Sequence, residues 1–113
     1  MEEPEKIKQV SKEVKKQQLY IIRCGKTQKF KIGISKDPQK RCKQLQTGNP
    51  EVLKIYFIIK INDKYQNVEA VKIETIIHQF LKEKDGKHII NEWFELSDDM
   101  VVKIAECLIK NFE

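Results

Sequence analysis

The 113-residue chain contains little of what several common protein classes require. Its three cysteines, Cys24, Cys42 and Cys107, are odd in number and widely spaced, and no two form a Cys-x-x-Cys pair. This pattern argues against a zinc ribbon and a disulfide framework and is typical of a reduced, intracellular protein. No apolar run approaches the roughly 18 residues of a membrane span, and the N-terminus is too charged for a signal peptide. We therefore expect a protein of the cytoplasm, nucleus or nucleoid that is not secreted and has no membrane partner.

Arginine is also scarce, because the basic residues comprise 20 Lys and only two Arg. The formal net charge is +5, but the charge is distributed unevenly. Residues 6–46 hold 13 basic and two acidic residues, whereas residues 47–113 hold nine basic and 12 acidic ones. So steep a gradient favours a polyanionic partner, most simply DNA. A solvated basic face without a partner is the alternative, and composition alone leaves both open.

At this length the chain has room for a single domain with one core. Residues 1–17 are predicted to form a basic N-terminal arm, either a short docked helix or a tail that orders on binding. Residues 18–113 are predicted to form the domain. It begins with a β-hairpin over 19–25 and 29–35, followed by a short helix that Ser35 or Asp37 caps, with a proline near its first turn.

Three further elements complete the predicted domain. The run 52–61 is mostly apolar, which predicts a third strand in the centre of the sheet. Residues 66–82 predict the longest helix, 88–96 an extended segment, and Ser97 the cap of a last amphipathic helix. The expected fold is α/β: a small, mostly antiparallel three-stranded sheet flanked by helices. The face of the longest helix that should be buried consists of Ile73, Ile76, Ile77, Phe80 and Leu81.

Residues able to do chemistry follow one another in a suggestive order. Tyr20 lies in the first strand, Lys31 and Gly33 lie in the second, Arg41 lies on the short helix and Glu74 lies on the long one. In a hairpin followed by a helix, such positions can converge on one site.

This order resembles the GIY-YIG nuclease superfamily. Gln-Leu-Tyr (18–20) stands where the superfamily has Gly-Ile-Tyr, and Lys-Ile-Gly (31–33) stands where it has Tyr-Ile-Gly. Arg41 follows eight residues after Gly33, and Glu74 lies in a stretch similar to the superfamily's Glu-bearing helix. The Lys-Ile-Gly form and the run Glu-Trp-Phe (92–94) resemble a branch of phages and large viruses that is also found in fungi.

The resemblance implies a metal-dependent DNA endonuclease that hydrolyses phosphodiester bonds. Tyr20 would be the general base, and a neighbouring Lys31 ammonium would lower its pKa by favouring the phenolate. Arg41 would hold the scissile phosphate through its planar fork, and Glu74 would hold a single Mg²⁺ or Mn²⁺ ion. His78, one turn from Glu74, would contact the phosphate or a metal-bound water. The residues expected to contact nucleic acid are Lys26, Lys29, Gly33, Lys36, Lys40 and Lys43.

The same residues also have ordinary structural interpretations. Tyr20 and Lys31 could be surface residues of strands, and Arg41 could pair with Asp37 four residues earlier. Glu74 and His78 could pair with each other.

Trp93 and Phe94 are interpreted as core residues. Two other functions remain open: a nucleic-acid-binding module on the same fold that does not cleave, and a protein-interaction domain that docks an acidic partner. Target specificity should be modest unless a partner or dimerisation supplies it, and the oligomeric state is left open.

Overall fold

The computed structural model describes residues 16–66, 68, 70–83, 87–90 and 93–113. The predicted N-terminal arm over residues 1–17 therefore lies outside the described residues except at its end. There, Lys16 forms an ion pair of 2.8 Å with Asp63, and the main-chain N–H of Gln17 donates to the side-chain oxygen of Gln66 at 2.9 Å.

The described strands form one antiparallel sheet in the order β3-β1-β2-β5-β4. Their bounds are Gln18–Cys24 for β1, Lys29–Ser35 for β2, Leu53–Lys60 for β3, Lys87–Ile90 for β4 and Trp93–Glu95 for β5. The predicted α/β class and antiparallel sheet are confirmed. The predicted number of three strands is wrong, because the extended segment 88–96 contributes β5 and most of β4, which pair with each other and extend the sheet beyond β2.

The third strand lies at the edge of the sheet and not in its centre. Among the described strands it pairs with β1 alone, and Tyr56 and Ile58 are 45% and 38% exposed. Its apolar composition has a different cause: helices pack on both of its faces. Leu53 faces the first helix, whereas Ile59 joins the core formed with the later helices.

Three described α-helices surround the sheet: α1 (Pro38–Gln46), α2 (Ala70–Glu83) and α3 (Asp98–Phe112), with a short 3-10 helix at Asp63–Tyr65. The predicted caps are confirmed. Asp37 accepts a hydrogen bond from the main chain of Lys40 at 3.1 Å, and Pro38 occupies the first turn, where it has no N–H to leave unsatisfied. Ser97 accepts one from Met100 at 3.2 Å. Within the described ranges, no helix has the length and apolar character needed to cross a bilayer.

The two faces of the sheet differ, and we name them by what covers them. The core face packs against α2 and α3 and holds the main hydrophobic cluster, which includes Leu19 and Ile21 of β1 and Phe30 and Ile32 of β2. From α2 it takes Ile73, Ile77 and Leu81 as predicted, but the predicted Phe80 is only half-buried.

Ile76 is 59% exposed, contrary to prediction. The helix buries a narrow stripe at i, i+4 and i+8, and Ile76 falls beside it.

The opposite side, the α1 face, holds a smaller cluster of Tyr20, Ile22 and Leu53. Cys42 and Leu45 of α1 and Trp93 of β5 pack against it. Because alternate residues of a strand point to opposite faces, Tyr20 lies on the face opposite its neighbours Leu19 and Ile21.

Candidate active site

Tyr20 and Gly33 form the centre of the candidate site. They face each other directly across β1 and β2. A Cβ atom at position 33 would lie 2.6 Å from the Tyr20 Oη and 3.2 Å from Glu74 Oε2. Glycine is therefore required here by space, because any side chain would collide with the tyrosine ring that lies over it. The Tyr20 hydroxyl and the Glu74 carboxylate thus meet over the same point of β2.

Tyr20 is buried, unlike a strand residue at the protein surface. The tyrosine is 2% exposed, so the interpretation of its hydroxyl as a surface group is not supported. Its ring packs in the α1-face cluster with Ile22 and Leu53.

Glu74 reaches the site from α2, beside Gly33 and Ile34 of β2. Among the described residues, β5 pairs with β2 from Lys29 to Lys31, and Glu74 approaches β2 just beyond that stretch. Glu74 Oε2 accepts a hydrogen bond of 3.1 Å from the main-chain N–H of Ile34. An ionised carboxylate has about four acceptor positions, so this bond orients the group and leaves capacity for a cation.

His78 contacts β2 one helical turn further along α2. Its Nε2 lies 3.3 Å from the main-chain oxygen of Ile32, and its ring lies 5.2 Å from that of Phe94. Because a carbonyl oxygen can only accept, Nε2 carries the proton and donates. His78 and Glu74 therefore bond to the strand and not to each other. A contact of His78 with phosphate or with a metal-bound water stays a prediction, and it would fall to Nδ1.

Lys31 is buried, at 3% exposure, which rules out the solvent-facing alternative. It lies on the α1 face two residues from Gly33, diagonal to Tyr20, a relation that long side chains can span. Its Nζ is 5.8 Å from the centroid of the Trp93 ring, a cation–π distance. A cation is thus held on the same face as the tyrosine, in surroundings that water barely reaches.

Trp93 walls the site on the β5 side, a role that sequence reasoning missed. The prediction of a core position holds for Phe94, which is fully buried, whereas Trp93 is half-buried on the α1 face. The feature that reveals the position of Trp93 is the register between β5 and β2, which places Trp93 directly opposite Lys31. That register depends on strand pairing over about sixty residues and is not readable from local sequence.

Arg41 lies on the flank of α1 beside the small cluster. It is half-buried, three residues after the buried Pro38 and next to Cys42, which packs against that cluster. The alternative ion pair with Asp37 is not formed, since the Asp37 carboxylate caps α1 instead. Over the described ranges, the Arg41 side chain makes no hydrogen bond or ion pair, so its five donors are available to a ligand.

The exposed lysines predicted to contact nucleic acid fall into two groups. Lys40 and Lys43 lie three residues apart on α1 and share one side of that helix, and Lys36 lies just before the cap residue Asp37. Lys26 and Lys29 lie at the other end of β2, roughly 20 Å away for a strand of this length. Three of the five therefore lie on α1 or just before it, in the same part of the chain as Arg41, and the other two lie apart from them.

The predicted metal site has one protein carboxylate, that of Glu74. In the part of the chain that the structure describes, no cluster of three or more His, Cys, Asp or Glu side chains could hold a metal ion. Mg²⁺ is commonly bound through one or two carboxylates with several waters retained, so Glu74 alone fits such an ion. Cys42 is an unsuitable ligand, because burial raises the pKa of its thiol.

The described residues form a small α/β domain with an antiparallel sheet and three helices. The chain matches the T5orf172 domain over residues 17–109 and belongs to that family, a phage-associated domain related to nuclease-like folds. Membership supports a nuclease-like or nucleic-acid-related role. No curated protein and no solved structure matches the chain.

Proposed function

We propose that this protein is a DNA endonuclease of GIY-YIG type that hydrolyses phosphodiester bonds with one divalent cation. The observation that carries the proposal is the convergence of the Tyr20 hydroxyl and the Glu74 carboxylate over Gly33. A proton acceptor and a cation-holding carboxylate at one point are what phosphodiester hydrolysis requires. The buried Lys31 and the available Arg41 supply positive charge on the same face.

Tyr20 is the proposed general base. It would take a proton from the attacking water, which needs a phenolate at the moment of transfer. Burial by itself disfavours a phenolate, so the site needs a compensating cation. Lys31 is the cation that the fold holds on this face, with Trp93 limiting its access to water.

Glu74 is the proposed ligand of the metal. Its hydrogen bond from Ile34 fixes one oxygen next to the tyrosine, and its half-buried position keeps the carboxylate accessible. A bound Mg²⁺ or Mn²⁺ would act as a Lewis acid for charge that builds on the phosphate oxygens.

Arg41 is the proposed phosphate clamp. Its planar guanidinium can donate two parallel hydrogen bonds to one phosphate, which fixes orientation as well as charge. Lys36, Lys40 and Lys43 would attract the neighbouring phosphates without reading sequence. DNA would then lie along α1 with its scissile phosphate near Tyr20.

A nucleic-acid-binding module without cleavage is the second candidate. It is favoured by one observation: Glu74 and His78 both bond to the main chain of β2, so both have a structural role without any reaction. The lysines on α1 and just before it would serve binding equally well.

A plasmid nicking assay tests the proposal. Supercoiled plasmid is incubated with protein and Mg²⁺ or Mn²⁺, and conversion to the nicked or linear form is measured. Glu74→Gln is the informative variant, because its amide oxygen can still accept from Ile34 while the charge that holds the cation is lost. Lys103→Gln, an exposed position on the far side of the sheet, is the matched control.

We expect wild type and the control to cut, and Glu74→Gln to bind DNA without cutting. Equal cutting by Glu74→Gln would contradict the metal role. Binding without cutting by the wild type, in either metal, would instead support the binding module. Absence of DNA binding would favour the protein-interaction alternative.

A further inference from the structure

A groove opens beside the candidate site, where β1 begins and β2 ends. Its volume is about 510 Å³, within the range of small-ligand sites. The N-terminus of α1, the end of β3 and the short 3-10 helix complete its walls. The side chains that decide its chemistry are those of Gln18, Lys36, Gln39 and Lys60.

The groove continues the α1 face directly from Tyr20. Gln18 precedes Tyr20 by two residues in β1, so both side chains point to the same face, roughly 7 Å apart along the strand. Lys60 faces Gln18 across β1 and β3, and Ser35 faces it across β1 and β2. Directly opposed residues share a face, so Lys60 also projects on the side of Tyr20.

The side chains lining the groove carry a formal net charge of +1, because Lys16, Lys36 and Lys60 outnumber Asp37 and Asp63. Lys16 pairs with Asp63 at 2.8 Å, and the Asp37 carboxylate caps α1. Lys36 and Lys60 are exposed and form no ion pair with any residue that the structure describes.

The side-chain amides of Gln66 and Gln18 differ in their hydrogen bonding. The Gln66 amide is fully occupied by bonds within the protein. It accepts from the main-chain N–H of Gln17 at 2.9 Å and donates to the main-chain oxygens of Gln17 and Ile61 at 3.0 and 2.9 Å. These bonds join Gln66 to the residues just before β1 and just after β3. Gln18 is half-buried, and its amide has no hydrogen-bond partner among the described residues. One amide that can both donate and accept therefore faces the groove beside two lysines.

We propose that this groove is a nucleotide subsite for the DNA strand, next to the scissile phosphate. Lys36 and Lys60 bind the phosphate of the neighbouring nucleotide, and Gln18 hydrogen-bonds the edge of its base. An amide pairs with adenine by donating to N7 and accepting from N6, so adenine is the expected base. The position relative to the scissile phosphate rests on the proposed function, whereas binding in the groove does not.

Binding measurements without divalent metal test the subsite. Fluorescein-labelled DNA duplexes are titrated in EDTA at several salt concentrations, and a duplex randomised over its central positions is selected on the protein and sequenced. The variants are Lys60→Gln, Lys36→Gln and Gln18→Met, which keeps the length of the side chain and removes its hydrogen bonds. Lys103→Gln is again the control, and thermal unfolding verifies that each variant is folded.

We expect each lysine variant to weaken binding for all sequences and to reduce the slope of log K against log salt by about 1. Gln18→Met should keep the slope and lose a preference for adenine at one position, worth about tenfold in the wild type. Slopes and base preferences equal to those of wild type in all three variants would overturn the subsite, as would a wild type that does not bind the duplexes.

The two proposals fail separately. If the variants behave as expected while the wild type cuts no plasmid, the nucleotide subsite is supported and the endonuclease is contradicted. If the plasmid is cut but the variants bind as wild type does, the endonuclease is supported and the nucleotide subsite is contradicted.

Discussion

The two faces of the sheet are built on different principles. On the core face, the described part of the chain places fifteen buried apolar residues in one cluster, which the apolar stripes of α2 and α3 cover. On the α1 face the buried cluster has three members, one of them Tyr20, and Lys31 is buried on the same side. The core face is therefore an ordinary apolar core, whereas the α1 face combines a small apolar cluster with a buried phenol and a buried lysine.

The two arginines show the same contrast. The guanidinium of Arg23 donates to the main-chain oxygen of Thr27 at 2.8 Å and to the Tyr56 hydroxyl. It also lies over the rings of Phe30 and Tyr56, and it pairs with Asp98 at 3.7 Å. Arg23 therefore ties the hairpin to β3 and to the start of α3.

Arg41, by contrast, has no side-chain partner within the described ranges. In a chain with 20 Lys and two Arg, an arginine whose guanidinium bonds to no described side chain is the better candidate for a contact outside the protein.

The largest expected effects come from substituting one residue on each face. Ile77→Ala should destabilise the domain by about 2–5 kcal/mol, because it opens a cavity in the main core. Tyr20→Phe should change stability by about 1 kcal/mol, the usual worth of one hydrogen bond, yet lower cleavage about 10²–10⁴-fold through loss of the base. Urea unfolding and single-turnover cleavage measure the two effects. If Tyr20→Phe unfolds the protein as Ile77→Ala does, the faces are not functionally different.

Gly33→Ala should damage the α1 face while leaving the core face intact. The added Cβ would meet the Tyr20 hydroxyl and the Glu74 carboxylate, both at the centre of the site. Overpacking of this kind costs about 1–3 kcal/mol, and the tyrosine must move to relieve it. We expect cleavage to fall as far as in Tyr20→Phe in a protein that still unfolds cooperatively. Gly48→Ala, where a Cβ has open space but φ is +78°, is a control for backbone effects alone.

A smaller effect is expected from exchanging each arginine for lysine. Arg41→Lys keeps the charge and removes the fork, and we expect about 10²-fold slower cleavage, by analogy with loss of one transition-state donor. Stability should be unchanged. Arg23→Lys should do the reverse, lowering the free energy of unfolding with little effect on the rate of the folded enzyme. A fully active Arg41→Lys variant would contradict the proposed role of Arg41 as a phosphate clamp.

Local sequence rules predicted much of this structure. The caps at Asp37 and Ser97 and the proline in the first turn of α1 depend on residues within four positions of each other, so they could be read directly. The ordered set of Tyr20, Lys31, Gly33, Arg41 and Glu74 gave the candidate site, and the fold brings Tyr20, Gly33 and Glu74 together.

What could not be predicted depends on contacts between distant segments. The pairing of β5 with β2, which sets Trp93 against Lys31, and the edge position of β3 both follow from tertiary packing. The same holds for Glu74 and His78, whose partners are main-chain groups of β2 and leave no mark in a side-chain pattern.

The smallest and most specific effect is expected for the pH dependence of cleavage. Lys31→Met keeps the length and apolar stem of the side chain and removes its charge. A nearby cation stabilises phenolate relative to phenol, so the pKa of Tyr20 should rise when the cation is lost, towards or beyond the ordinary value of about 10. The rising limb of the pH–rate profile should then move to higher pH. Burial of the tyrosine acts in the same direction, since desolvation also disfavours the phenolate.

The measurement that isolates this role is single-turnover cleavage from roughly pH 6 to 10 at fixed metal concentration, for wild type, Lys31→Met and Arg41→Lys. Arg41→Lys retains positive charge at its position and should lower the rate by one factor at every pH. Lys31→Met should instead lose most activity at low pH and recover part of it as the pH rises. If its loss is also one constant factor across the range, Lys31 contacts phosphate and does not tune Tyr20. The α1 face would then hold two phosphate-binding cations and a tyrosine whose ionisation needs another explanation.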